Sequence, residues 1–182
     1  MLLGVPAETL AHGSCTALRM KGAGKRCQMI SRCHVRDAEG REPVSSCVAA
    51  QLVRLERQFK RSLLHKDCHP YGEPADVVAI LDGAAGTLAQ QLALDGGRCA
   101  SAKLLAAGKA CLVLLRSCHA GAERTETPVD PTCVEDAAAT MRAAFDKAER
   151  RYPCTTVDDH AAARAVVEQA AEDVVTELAV AP

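Results

Sequence analysis

Apolar side chains recur every three or four residues along most of the chain. The clearest run is Ile80, Leu81, Ala84, Ala85, Leu88 and Leu92, which share one helical face. The same period predicts helices over about residues 15–34, 46–66, 74–94, 99–119, 131–151 and 158–180. No segment alternates apolar and polar residues between turn signals, as a half-buried strand does. Punctuation agrees with this reading. The stretch YGEP precedes the third helix and DGG follows it, while Thr155, Thr156 or Asp158 can cap the sixth.

Six helices resolve into two sets of three because the chain repeats itself. At an offset of 84, Cys15 lies over Cys99, Gly24 over Gly108, Lys25 over Lys109 and Cys27 over Cys111. The offset is 85 where Cys33-His34 meets Cys118-His119 and Pro43-Val44 meets Pro128-Val129. It is 86 where Cys47 meets Cys133, Phe59 meets Phe145 and Cys68 meets Cys154. Two one-residue gaps therefore align the two halves as an internal duplication. The expected architecture is all-α, with an N-terminal segment at 1–14 and three-helix repeats at 15–97 and 98–182. Each repeat is expected to be an antiparallel helical hairpin, stapled by disulfides, plus a third helix.

Cysteine spacing makes the hairpin specific. Cys33 and Cys47 are equidistant from residue 40, and Cys15 and Cys68 from 41.5. Residues equidistant from the turn of an antiparallel hairpin lie side by side. Bonding Cys15 to Cys33 would span about 27 Å along one helix, whereas a disulfide needs α-carbons within about 7 Å. Cys15 with Cys47 fails similarly. The nested pattern remains: Cys15–Cys68 with Cys33–Cys47, and Cys99–Cys154 with Cys118–Cys133. The 19 residues from Cys99 to Cys118, against 18 from Cys15 to Cys33, leave that pair about 100° out of register. This predicts an irregular turn near Ser117. Cys27 and Cys111 face away from the hairpin seams. They can bridge the two repeats, stay as buried thiols or pair between molecules. Gly24 and Gly108 are mid-helix, where glycine costs up to about 1 kcal/mol against alanine, so another backbone is expected close by.

Composition explains why such staples are useful. Of 182 residues 48% are hydrophobic, but there is no Trp and there are only two Phe and two Tyr. Small side chains each bury little area, so Phe59 and Phe145 are expected core anchors, and each loop closure contributes about 3 kcal/mol. Ten cysteines imply an oxidising compartment, extracellular or periplasmic. Residues 1–15 show no basic leader, so the expectation is a leader already removed or a start that is not native. A net charge of -1 carries none of the basic excess of a nucleic-acid binder. No apolar stretch approaches the roughly 20 residues of a membrane span.

Chemistry is sparse in the remaining motifs. His34 and His119 each follow a cysteine, but the C-x-x-C-H haem spacing is absent. They read as last-turn histidines facing the helix dipole, with metal ligation the weaker alternative. His65 and His69 are four apart, as a zinc pair would be, but their counterpart in the second repeat is RYPCT. KGAGK lacks the spacing of a phosphate loop, and no H-E-x-x-H, G-x-S-x-G or dinucleotide fingerprint is present. No catalytic residue and no cofactor are expected.

The second repeat combines a GK in its first helix, a Cys-His near that helix's end, D-P-x-C opening its second helix and a cysteine closing the hairpin. In this it resembles a group of Ala-rich, Cys-containing tandem-repeat helical proteins of bacteria, predicted to be exported and of uncharacterised function. The first repeat diverges, with SSC in place of D-P-x-C. The resemblance implies an exported helical protein and brings no catalytic residue. The expected function is a non-catalytic binding or structural module with an unknown protein or apolar ligand as partner. The alternatives are a carrier of a lipid or other apolar small molecule, and a Cys/His metal-binding or redox protein.

Overall fold

A computed structural model describes residues 7–64, 68, 72–95 and 97–179, with the side chains of all of these but 7–14 and 94. The described residues are all-α and contain no strand. The helices are α1 (Ala7–Ala38), α2 (Val44–Ser62), α3 (Pro74–Gln91), α4 (Gly97–Val113), α5 (Ala120–Thr125), α6 (Pro131–Arg151) and α7 (His160–Ala179). A π-helical segment, Leu114–His119, joins α4 to α5, so residues 97–125 form one continuous rod.

Local chemistry sets the ends. Gly40 takes φ 68°, a left-handed conformation that stops α1 at little steric cost. α6 starts at Pro131, behind Asp130, whose Oδ1 accepts the Thr132 amide at 2.9 Å. α1 begins at Ala7 and ends at Ala38, so it outruns the expected 15–34 at both ends and crosses the expected boundary at residue 15. The stretch AETLAHGS has little apolar periodicity by which to announce these eight residues of helix.

α1 and α4 form the centre of the molecule. They run antiparallel, since Gly24 lies against Leu112, Leu115 and Arg116, and Gly108 against Gln28 and Ser31. A Cβ on Gly24 would sit 3.1 Å from the Leu112 carbonyl oxygen, and one on Gly108 would sit 2.7 Å from Ser31 Cβ. These glycines thus recover their helix-propensity cost by letting two backbones approach. α2 packs on α1, α6 on α4, and α3 and α7 lie together against the central pair. The buried residues form one core, with Met20, Ile30, Leu55, Leu81, Leu115, Phe145 and Leu178 among the largest fully enclosed side chains. Phe59 is also buried, and Phe145 is fully shielded.

Candidate functional site

The structure joins Cys15 to Cys68, Cys33 to Cys47, Cys99 to Cys154 and Cys118 to Cys133, with Cα separations of 5.5 to 5.7 Å. Cys27 is bonded to Cys111 across α1 and α4, at 6.2 Å between α-carbons. All ten cysteines are thereby bonded and none is free. The irregular turn near Ser117 is the π-helical segment. A π turn accommodates one extra residue within a helix. It falls between Cys111, 84 residues after Cys27, and Cys118, 85 after Cys33, and it turns Cys118 to the side that faces α6 and Cys133.

The histidines have a different role from that expected. Both lie inside helical rods, because α1 runs on past His34 to Ala38 and α5 past His119 to Thr125. The dipole reading is therefore corrected: each histidine reaches across to a carboxyl group on a neighbouring helix. His34 Nε2 is 2.7 Å from Asp82 Oδ1 of α3. His119 is buried, 3.8 Å from Glu172 of α7. Burial pushes the His119 ring below its ordinary pKa and the Glu172 charge opposes this. The adjoining Cys33 and Cys118 sulfurs are consumed in disulfides and offer no thiolate to a metal. His65 and His69 lie outside the described residues.

Among the described residues two strongly basic side chains, Lys103 and Arg19, are buried. Lys103 on α4 is wholly enclosed, with Nζ 5.7 Å from the centre of the Phe145 ring. Its three protons match three acceptors: Asp95 Oδ2 at 2.8 Å, the Thr156 carbonyl at 2.9 Å and Asp159 Oδ2 at 3.0 Å. Glu149 Oε1 lies 3.0 Å away as a further counter-charge. The Thr156 amide donates to Asp95 Oδ1 at 2.6 Å.

Burial alone would push the Asp95 carboxyl up and the Lys103 ammonium down. Hydrogen bonds from Lys103 and Thr156, with the Lys103 charge, more than reverse this for Asp95. Those to Asp95 and Asp159, with the nearby Glu149 carboxylate, do so for Lys103. Asp95 is therefore held below the usual carboxylate range and Lys103 above the usual lysine range. A lysine held so firmly cationic has no lone pair for nucleophilic work. It acts as a clasp, fastening the turn before α4, the end of α6 and the approach to α7.

Arg19 of α1 is the counterpart of Lys103 at offset 84. It is buried, with its guanidinium carbon 5.0 Å from the centre of the Phe59 ring and Nε donating to Ser62 Oγ at 3.2 Å. Burial lowers its pKa and the charge of Glu73 opposes this. Sequence reasoning missed both cations. Their signal was a basic residue four positions after Cys15 and after Cys99, on the face that the cysteine turns inward.

An open groove of about 420 Å³ runs between α4 and α6. Its floor is Ala106, Ala110, Val113, Ala137, Met141 and Ala144, and Lys109, Asp130 and Asp136 stand at its edge. Such a volume lies within the range of small-molecule sites. Comparison with models of protein families, with curated proteins and with solved structures finds no match.

Proposed function

We propose that this protein is an exported, disulfide-rich helical binding module without catalytic activity. It is built as two tandem three-helix repeats, residues 15–97 and 98–182, and is akin to the Ala-rich, Cys-containing tandem-repeat proteins of bacteria that its motifs resemble. The observation carrying the reading is the bonding of all ten cysteines, a state that persists outside the reducing cytosol. Five cross-links hold a small-residue core and present fixed helix surfaces to a partner. The firmly cationic Lys103 supports a structural use of the most strongly coupled charges. Among the described residues no helix is long and apolar enough to cross a membrane.

The groove between α4 and α6 favours a second reading, a carrier of an apolar small molecule. The thiol-redox reading requires a free thiol, and every cysteine is bonded in a disulfide. Fractionation of the native cell, with thiol alkylation before lysis, tests the principal reading. Unalkylated, fully bridged protein outside the cytosol is the expected result. Alkylated protein confined to the cytosol would overturn it.

A further inference from the structure

The duplication provides an internal comparison for the groove between α4 and α6. At the matching place between α1 and α2, three long polar side chains occupy the cleft. Arg26 Nη1 donates to Gln51 Oε1 at 2.9 Å, Gln51 is buried, and the Gln58 amide lies so close to Gly22 that a Cβ there would stand 2.6 Å from Gln58 Nε2. Offsets of 84 and 86 place Ala110, Ala137 and Ala144 over Arg26, Gln51 and Gln58, and Ala106 over Gly22. One cleft is filled by the protein's own side chains. The other has lost all three fillers and stands open at about 420 Å³.

Charge changes with volume. Lys25, Arg26 and Arg54 stand at the sequence positions that match Lys109, Ala110 and Thr140 of the groove. The groove keeps Lys109, has Ala110 and Thr140 in place of the two arginines, and gains Asp136 where Ala50 stands, with Asp130 at the rim. A surplus of three positive charges becomes a surplus of one negative. One of the three fillers of the first cleft, Arg26, is itself an aliphatic stem ending in a cation.

From these substitutions we infer that the groove between α4 and α6 is a binding site for a small amphiphile with a slender alkyl chain and a cationic head. The chain lies along the alanines, where burial of each methylene is favourable. The head sits toward Asp136 and Asp130. This deepens the binding-module reading and rests on it, by giving the module a ligand class.

Isothermal titration of the full, oxidised chain with decyltrimethylammonium below its micelle concentration tests the site. Sodium decyl sulfate serves as the same chain with the opposite head, and tetramethylammonium as a head without a chain. The expected result is saturable binding of the cationic amphiphile, about tenfold or more tighter than of the sulfate, and none of tetramethylammonium. Ala137→Gln with Ala144→Gln, which restores the fillers of the first cleft, should weaken binding about tenfold or more. The rim changes Asp136→Ala and Thr140→Arg lie at exposed positions; they keep the packing and should narrow the preference for the cation.

Equal affinity for the two heads, indifference to the glutamine fillers or absence of binding would each overturn the site. So would a dimer, seen by sedimentation, that the fillers dissolve, since a second copy would then own the groove. None of these outcomes depends on the alkylation result, so the site and the exported-module reading fail separately.

Discussion

At the residue scale, Lys103 and Asp95 are the pair on which most depends. Both side chains are wholly shielded, 2.8 Å apart. Removing one partner of such a pair strands the other without solvent, at a cost of about 3–5 kcal/mol. Lys103→Met should therefore destabilise by about that amount in urea unfolding, and Lys103→Met with Asp95→Asn by distinctly less. The pH dependence has a definite sign. Asp95 is held below its ordinary value of 3.8, so its contribution is present above that pH and is lost as pH falls through the folded value. Lys103 is held above 10.5, so its contribution is present below that pH and is lost as pH rises through the folded value. Unfolding midpoints measured from acid to alkaline pH should show both limbs flattened in Lys103→Met. This pair was hidden in the sequence because a lone lysine on an amphipathic helix reads as surface, and Asp95 falls inside a DGG read only as a stop.

Among elements, the rod from α4 to α5 carries the sharpest test. The π segment Leu114–His119 absorbs the one residue by which Cys99 to Cys118 exceeds Cys15 to Cys33. Deleting exposed Ser117 should return the rod to a plain α-helix with 18 residues from Cys99 to Cys118. All five bridges and the helical circular dichroism should survive. Deleting Leu105 instead turns Cys111 by about 100° about the axis, and peptide mapping should then show the Cys27–Cys111 bridge lost.

That bridge closes the longer loop, 84 residues against 14 for Cys33–Cys47. Replacing Cys27 and Cys111 by alanine should cost about 4–5 kcal/mol, against about 3 kcal/mol for Cys33 and Cys47, measured by chemical unfolding. Helix existence and the nested order of cysteines were legible, because hairpin symmetry and helical rise are distances that can be counted along a sequence. Helix ends were not. The capping at 155–158 fails as read, since α7 starts only at His160 and Thr156 is drawn into the Lys103 clasp.

For the whole molecule, the pairing of α1 with α4 organises everything else. Gly24 and Gly108, both legible as sites of close backbone approach, bring the two axes together, and the bridge beside them locks the contact. The state of Cys27 and Cys111 was open in the sequence because nothing local relates two residues 84 apart; only the packing of α1 on α4 does. The groove was equally hidden, since three alanines are unremarkable until their counterparts are seen as Arg26, Gln51 and Gln58.

The central claim is that ten sulfurs form five intramolecular bridges, nested within each hairpin and joined once between α1 and α4. Intact mass before and after reduction, followed by peptide mapping without reduction, tests it directly. The account predicts a gain of ten hydrogens and linked peptides Cys15–Cys68, Cys33–Cys47, Cys27–Cys111, Cys99–Cys154 and Cys118–Cys133. A smaller gain, or any other set of linked peptides from the native protein, would contradict it.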